Sequence, residues 1–231
     1  MKFAVFDVDG TLADSRAAIK ASADAAFAAL NRPPPTYDAV RQIVGLSLQE
    51  GLSRLAPDLS PEELDRFIAG YREGFAALRR ARGREDSLYP GAADLLHRVK
   101  ATGWRIGMAT GKSRAGVERW LVDHGWREVF DTTQCADDGP GKPDPAMLQA
   151  AMAAVGAEPH QTVMIGDTTH DVTMAKAAGV ACLAVTWGFH TLQELQAAEA
   201  DLICTDFDQL WIALARFERG EILSGARGHA V

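Results

Sequence analysis

Acidic side chains recur in this sequence at turns that follow short apolar runs. Asp7 and Asp9 follow the first run, and Asp167 and Asp171 follow a later one. Residues two apart in an extended chain point to the same side, so Asp7 and Asp9 are expected to face one site. Four carboxylates around one crevice raise each other's pKa unless a cation neutralises them. An incomplete cage of oxygen ligands is typical of Mg²⁺, and no His and Cys set has zinc spacing.

Hydroxyl and ammonium groups follow two other apolar runs. Thr110 and Gly111 come directly after the run Arg105–Ala109, and Lys142 lies in a Gly-Lys-Pro-Asp-Pro turn. Such groups can hold the oxygens of a phosphoryl group while negative charge redistributes in the transition state. Together with a cation held by carboxylates, these residue types favour chemistry on a phosphate ester.

The apolar pattern predicts an α/β core that positions these turns. Short β-forming runs alternate with helical periodicity over short links, which is typical of parallel βαβ units in a doubly wound, Rossmann-like sheet. The predicted strands are 3–6, 105–109, 129–133, 162–165, 181–185 and 202–204. Ligands of open parallel sheets bind beyond the carboxyl ends of the strands, so the four polar turns are expected to meet at one edge.

A helical segment interrupts this pattern after the first strand. Residues 15 to about 81 show helical spacing without a strong strand, and Ser60, Pro61 and Glu63 form a typical helix start. We therefore predict an all-helical cap at residues 14–84, an α/β core at residues 1–13 and 85–220, and a frayed tail at residues 221–231.

Composition and charge exclude several classes of protein. The 231 residues are 47% hydrophobic and 24% charged, with 31 acidic against 24 basic side chains. An acidic surface repels nucleic acid, and the basic stretch 79–84 is interpreted as a solvated link. Because no apolar run approaches the roughly 18 residues of a membrane span, no membrane partner is expected. Three cysteines without a CxxC pair indicate a cytoplasmic protein. Both a monomer and a homodimer stay open as the oligomeric state.

The four polar turns, taken in order, resemble the motifs of the haloacid dehalogenase superfamily. DxDGT begins at Asp7, Thr-Gly at Thr110, Gly-Lys-Pro-Asp-Pro at Gly141, and GDxxxD at Gly166. With a helical insert between the first two motifs, the chain is similar to the helical-cap phosphatases, and within them to the phosphoglycolate phosphatase-like subgroup. The resemblance spans residues 1 to about 217 and implies a Mg²⁺-dependent phosphatase.

The resemblance implies a catalytic role for each matched residue. Asp7 would attack phosphorus and become an aspartyl-phosphate, while Asp9 would serve as general acid and then as general base. Thr110, Gly111 and Lys142 would bind the phosphoryl oxygens, and Lys142 would also pair with Asp7. Thr110 could instead cap the following helix.

The resemblance also implies the metal ligands. Asp7, Asp167 and the backbone carbonyl of Asp9 would coordinate Mg²⁺. Asp171 would hold Asp167 or a metal-bound water, unless it is only a helix N-cap. His170, in the same loop, is expected to face solvent.

Three segments outside the motifs have open interpretations. Val44–Ser47 is either a loop that enters the site or a helix–helix turn, and Arg41 could bind a substrate carboxylate. The segment 187–190 faces either a partner or the rim of the site.

The expected function is Mg²⁺-dependent hydrolysis of a small phosphorylated metabolite, with 2-phosphoglycolate as the first candidate. Pyrophosphate, sugar phosphates and nucleotides stay open as substrates. Dehalogenation has no use for Asp9, and a phosphonate hydrolase of this type needs a cap lysine, where Lys20 is the sole lysine. A non-catalytic binding protein on the same fold is less favoured because Asp7 and Asp9 are both present.

Overall fold

The computed structural model describes residues 1–82 and 87–222. Its eight strands, in chain order, are β1 (Phe3–Phe6), β2 (Ala13–Asp14), β3 (Ser87–Leu88), β4 (Arg105–Ala109), β5 (Thr132–Gln134), β6 (Thr162–Gly166), β7 (Ala181–Val185) and β8 (Leu202–Cys204). Six of them form one sheet in the order β5-β4-β1-β6-β7-β8, and every neighbouring pair is parallel. The doubly wound α/β core expected from the sequence is confirmed.

Ten α-helices are present in the described residues. They are α1 (Arg16–Ala29), α2 (Tyr37–Arg41), α3 (Leu48–Leu55), α4 (Pro61–Arg82), α5 (Ala92–Ala101), α6 (Arg114–His124), α7 (Ala146–Val155), α8 (Thr169–Ala177), α9 (Leu192–Ala197) and α10 (Phe207–Glu218). The first four lie between β2 and β3, whereas the other six alternate with the strands of the large sheet.

The central strand β1 shows why the sheet is buried on both faces. Its side chains alternate, so Phe3 and Val5 belong to one hydrophobic cluster while Ala4 and Phe6 belong to the other. All four are fully buried. A continuous apolar run is what a parallel strand covered by helices on both faces requires.

The helical insert is held together by close contact between α1 and α4. A Cβ added to Gly74 would lie 2.7 Å from Cα of Ser22, and one added to Gly70 would lie 3.0 Å from Cα of Ala26. Two glycines one turn apart therefore let the helices approach at backbone distance. Reciprocal hydrogen bonds between Ser60 and Glu63, at 2.9 and 3.3 Å, confirm the predicted start of α4.

The structure corrects three local predictions. Strands β2 and β3 pair antiparallel at the base of the insert, and the predicted boundary between residues 13 and 14 falls inside β2. Two-residue strands are too short to show alternation, which explains why the sequence did not indicate them. Strand β5 begins at Thr132 rather than at residue 129, and the N-cap of helix α8 is Thr168 rather than Asp171.

Parts of the domain prediction fall outside the described residues. These are the boundary between residues 84 and 85 and most of the tail, residues 223–231. The basic stretch 79–84 begins inside α4, which extends to Arg82. Residues 79–82 are therefore helical and do not form a separate link. The division into core and cap stays a prediction. Across residues 1–82 and 87–222, no helix combines the length and the apolar character needed to cross a membrane.

Candidate functional site

The polar turns lie together at the carboxyl edge of the sheet, as the sequence predicts. Asp7 follows β1, Thr110 follows β4 and Asp167 follows β6, and these three strands are neighbours. The backbone N–H of Asp7 donates to the carbonyl oxygen of Ile165 at 2.9 Å. Gly10 turns the chain after β1 with a φ of 87°, a conformation that side chains disfavour.

Lys142 lies between two buried carboxylates. Its Nζ is 2.9 Å from Oδ1 of Asp7 and 2.6 Å from Oδ1 of Asp171, and all three side chains are almost fully buried. Burial lowers the pKa of Lys142, but the charges of Asp171 and Asp7 outweigh this effect and raise that pKa above its usual value. The ammonium group therefore stays protonated inside the protein and neutralises part of the acidic charge.

Burial has the opposite effect on Asp7. Loss of water raises the pKa of Asp7 to about 7, Lys142 opposes the increase, and the charges of Asp171 and Asp9 add to it. A carboxylate with such a pKa is poorly compensated by the protein alone. Additional positive charge at the site would favour its ionised form.

Two residues, Thr168 and Lys142, contact the carboxylate of Asp171. Its Oδ2 accepts hydrogen bonds from the N–H of Thr168 at 3.0 Å and from Oγ1 of Thr168 at 2.7 Å, while Oδ1 faces Lys142. Thr168 is the N-cap of α8 and Asp171 completes its capping box. Asp171 is therefore not the N-cap residue, and its side chain links the start of α8 to Lys142 instead of forming a hydrogen bond with Asp167. Its role towards a metal-bound water stays a prediction.

Asp167 is oriented by two donors from different parts of the chain. Oγ1 of Thr11 donates to Oδ1 at 2.7 Å, and the N–H of Phe189 donates to Oδ2 at 2.8 Å. Burial and the charges of Asp7 and Asp171 raise the pKa of Asp167 well above its usual value. The segment 187–190 thus faces the site, which answers the question that the sequence left open.

The carboxylates fit a divalent cation. Oxygen atoms of Asp7, Asp167 and Asp171 lie within 4.8 Å of one another. Oδ2 of Asp7 is buried and has no hydrogen-bond partner among the described residues. Buried carboxylate oxygens are costly to leave unpaired, and hard oxygen donors suit Mg²⁺. Oδ2 of Asp171 accepts two hydrogen bonds and its Oδ1 faces Lys142, whereas each oxygen of Asp167 accepts one hydrogen bond and Oδ2 of Asp7 accepts none from the described residues. Asp7 and Asp167 therefore keep more lone pairs for a cation.

Thr110 and Gly111 lie beside this carboxylate group. Thr110 is fully buried, and its Oγ1 accepts a 3.3 Å hydrogen bond from the N–H of Lys112. The N-cap of α6 is Ser113, so the alternative in which Thr110 caps that helix is wrong. A Cβ on Gly111 would lie 2.5 Å from the carbonyl oxygen of Leu46, which shows how closely the helical insert contacts the core here.

A cleft of about 760 Å³ joins Asp7 and Asp9 to the helical insert. One wall consists of side chains from the insert, and they are mostly apolar: Ile19, Ile43, Val44, Leu46, Leu48, Tyr71, Phe75 and Ala76. The opposite wall carries Lys112, whose Nζ lies 2.9 Å from Oδ1 of Asp9. Arg72, Arg79 and Arg119 also line the cleft.

The loop Val44–Ser47 lines this cleft and also joins α2 to α3, so both of its interpretations apply. Arg41 does not line the cleft. Its guanidinium pairs with Glu194 and with Asp38, each at 2.7 Å, so the hypothesis that it binds a substrate carboxylate is not supported. The pair with Glu194, a residue of α9, ties the helical insert to the core.

His170 also lies at the contact between insert and core. Its Nε2 is 3.1 Å from the carbonyl oxygen of Gln42, and its ring centroid is 5.6 Å from that of His190. The expectation that His170 faces solvent is corrected in part, because the ring is partly buried and its pKa is lowered by that burial.

Several residues of the site were missed by sequence reasoning. Thr11 follows Gly10 in the first motif, and that position was a usable signal for a hydroxyl near the carboxylates. Phe189 contributes its backbone N–H, so its side-chain type carries no signal. Tyr71 lies within an apolar stripe of α4, where an aromatic residue indicates core packing.

A family model, two relatives and one solved structure are similar to most of this chain. The haloacid dehalogenase-like hydrolase family matches residues 4–185. "Probable phosphatase IndB" of Dickeya dadantii is 35% identical over 89% of this chain and 90% of its own length. "Phosphoglycolate phosphatase 1" of Pseudomonas aeruginosa is 32% identical over 82% of this chain and 71% of its own. The crystal structure of CbbY from Rhodobacter sphaeroides in complex with phosphate superimposes with a TM-score of 0.77 at 29% identity, over 91% and 96% of the two chains.

Proposed function

Because this chain belongs to the haloacid dehalogenase-like hydrolases and is a phosphoric monoester hydrolase, we propose that it depends on Mg²⁺ and acts on a small phosphorylated metabolite, with 2-phosphoglycolate as the first candidate. One observation carries the proposal. Oδ1 of the buried Asp7 faces Lys142, while its Oδ2 has no hydrogen-bond partner among the described residues. The name of the Pseudomonas aeruginosa relative supports the choice of substrate.

In the proposed first step, a carboxylate oxygen of Asp7 attacks phosphorus. The bond from phosphorus to Asp7 forms as the bond to the leaving oxygen breaks, and Asp9 gives its proton to that oxygen. Lys142, Thr110 and the N–H of Gly111 hold the remaining phosphoryl oxygens. Their donor groups are best placed to stabilise charge that develops in the transition state.

In the second step, Asp9 takes a proton from water as the water attacks phosphorus. The bond between phosphorus and Asp7 breaks, which restores the carboxylate and releases inorganic phosphate. Asp7 and Asp167 would hold Mg²⁺ together with the carbonyl of Asp9. The ion supplies positive charge that offsets repulsion between the phosphoryl group and the carboxylates. Asp171 acts through Lys142, which it keeps protonated and aimed at Asp7.

A larger phosphate ester is the second candidate substrate. The cleft of about 760 Å³ lies within the range for metabolites and cofactors, and glycolate would fill only a small part of it. Its apolar wall favours a leaving alcohol with hydrophobic surface. Sugar phosphates and nucleotides stay in this class.

Phosphate release from a panel of small esters tests the proposal. The panel contains 2-phosphoglycolate, sugar phosphates, nucleotides and pyrophosphate, each measured with Mg²⁺ and with a chelator. Mg²⁺-dependent release from 2-phosphoglycolate above all others is the expected result. Release from other esters alone would keep the mechanism and change the substrate, while release from none would contradict the proposal.

The proposal also includes the cellular location of the protein. Cys135, Cys182 and Cys204 are free and buried, which supports the cytoplasmic location expected from the sequence. The proposed partner is a small-molecule substrate, and the proposed oligomeric state is either a monomer or a homodimer.

A further inference from the structure

Tyr71 is a polar group in the apolar wall of the cleft. It lies on α4, lines the same cleft as Asp7 and Asp9, and none of the phosphate-binding motifs includes it. Among residues 1–82 and 87–222, none forms a hydrogen bond with its hydroxyl group. A buried phenol usually has a hydrogen-bond partner, so this hydroxyl in a largely apolar wall is available to a ligand.

Packing holds the Tyr71 ring in place. Its centroid is 5.3 Å from that of Phe75, and the ring packs against two hydrophobic clusters, one of which includes Phe189 of the core. The backbone contact of Gly70 and Gly74 with α1 fixes the helix from which it projects. A donor on such a support can select a ligand at little cost in conformational entropy.

The electrostatics of the cleft indicate what the hydroxyl would meet. Burial raises the pKa of Tyr71 above its usual value, and the negative charge of Asp9 raises it further, so the phenol stays protonated and donates. Asp9 is the proposed acid for the leaving oxygen, and Tyr71 lines the same cleft. A leaving group that extends into this cleft can therefore meet the hydroxyl of Tyr71.

The charged residues of the cleft favour an anionic acceptor. Apart from Lys112, which pairs with Asp9, the lining contains Arg72, Arg79 and Arg119 but only one further carboxylate, Asp137. A leaving group with a carboxylate or phosphate would meet a positive potential there, and a neutral hydroxyl would gain less.

We propose that Tyr71 determines specificity by donating a hydrogen bond to an oxygen acceptor on the leaving alcohol, and that phosphate esters carrying such an acceptor next to the ester are the substrates. This inference rests on the proposed function and names the part of the substrate that the helical insert recognises. It covers both 2-phosphoglycolate and larger esters with the same feature.

Two matched pairs of esters test the role of Tyr71. 2-Phosphoglycolate carries a carboxylate that ethyl phosphate lacks, and glycerol 3-phosphate carries hydroxyls that propyl phosphate lacks. Steady-state rates with Mg²⁺ would be compared for the wild type, Tyr71→Phe and Tyr37→Phe. Tyr71→Phe keeps the ring and removes the hydroxyl, and Tyr37 is a 42% exposed residue of the insert that does not line the cleft.

The expected result is selective. Tyr71→Phe lowers kcat/KM for 2-phosphoglycolate roughly tenfold, mainly through KM, as the loss of a hydrogen bond to a charged group predicts. The loss for glycerol 3-phosphate is smaller, and the rates for ethyl and propyl phosphate stay within about twofold. Tyr37→Phe changes none of them.

Equal losses on both members of a pair, or no loss on either, would overturn the role of Tyr71 and leave the proposed function standing. Failure of the wild type to hydrolyse any ester with Mg²⁺ would overturn the proposed function, and this inference with it. If Tyr71→Phe unfolds at the same midpoint temperature as the wild type, its lower activity reflects loss of recognition and not loss of packing.

Discussion

The carboxyl edge of the sheet and the helical insert form opposite sides of one cleft, but they differ in the kind of side chain that they present to it. The edge places buried charges at the ends of adjacent strands, where Lys142 touches both Asp7 and Asp171. The insert offers apolar side chains with the hydroxyl of Tyr71 among them. Under the proposed function, the sheet edge performs the chemistry, whereas recognition of the leaving alcohol falls to helices whose sequence carries no motif.

The largest expected effect comes from removing the nucleophile. Asp7→Asn preserves the shape of the side chain but provides no anionic oxygen to attack phosphorus. We expect kcat to fall at least about 10³-fold, in line with the loss of other catalytic nucleophiles. Phosphate release under saturating Mg²⁺ measures this change, and a variant that keeps most of its activity would contradict the assignment.

Lys142→Ala tests whether the edge depends on its buried cation. The substitution leaves Asp7 and Asp171 buried without their ammonium partner, so we expect the free energy of unfolding to fall by about 3–5 kcal/mol. Lys20→Ala is the control, because Lys20 forms a partly exposed pair with Asp24 within α1. That variant should lose less than about 1 kcal/mol. Chemical denaturation of both proteins gives the comparison, and similar losses would be inconsistent with a buried network.

The pH dependence of stability tests the charge balance at the edge. Burial raises the pKa of Asp7 to about 7 from 3.8 in the unfolded chain. The folded protein therefore binds more protons than the unfolded chain between these values, and the free energy of unfolding of the metal-free protein falls as pH rises from about 4 to about 7. Denaturation curves across that range measure the slope, and a rise in stability over the same interval would contradict it.

Mg²⁺ should offset this loss. An ion that binds only the folded state adds about 2.7 kcal/mol at 100 times its Kd, so thermal unfolding should shift upwards most near pH 7. Asp167→Asn is expected to remove the shift. Asp65→Asn, on the exposed surface of α4, should retain it. An unchanged shift in Asp167→Asn would exclude that residue as a ligand.

Gly111→Ala probes the contact between the two sides of the cleft. The added Cβ would lie 2.5 Å from the carbonyl oxygen of Leu46, so the insert must move away from the core. We expect kcat/KM to fall about tenfold or more, because small displacements at a site can cost up to about 100-fold. Gly116→Ala is the control, since its Cβ meets the nearest atom, Ser113 Oγ, at 3.4 Å. A rate for Gly111→Ala equal to that of the control would mean that the contact is dispensable.

The smallest effect is expected where the insert and core meet far from the chemistry. Glu194→Gln removes the charge that pairs with Arg41, and that pairing, chiefly through its hydrogen bond, holds the pKa of Glu194 below its usual range. The side chains are partly exposed, so the loss of stability should stay below about 1 kcal/mol. Rates within about threefold of wild type would agree with a positional role. A larger loss of rate would show that this pair controls the approach of the insert.

Prediction from sequence succeeded for the sheet and its edge because local patterns determine both. Apolar runs that end in Asp7, Thr110 and Asp167 identify strands and the residues at their ends. The contact between Lys142 and Asp171 joins residues 29 positions apart, and nothing in the sequence indicated it. The resemblance implied only that Lys142 pairs with Asp7. Tyr71 could not be found, because the same aromatic stripe also describes a residue of the core. Phe189 donates to Asp167 through its backbone N–H, and its residue type does not indicate such a contact.

The central claim is that Asp7 carries the phosphoryl group during turnover, and trapping that intermediate tests it most directly. The wild type would be mixed with 2-phosphoglycolate and Mg²⁺, quenched in acid within milliseconds and reduced with borohydride, which converts an aspartyl-phosphate to homoserine. Peptide mass spectrometry is expected to locate homoserine at position 7, and none in protein mixed without substrate. Hydrolysis of the ester with unmodified Asp7, or with the label at another carboxylate, would contradict the account.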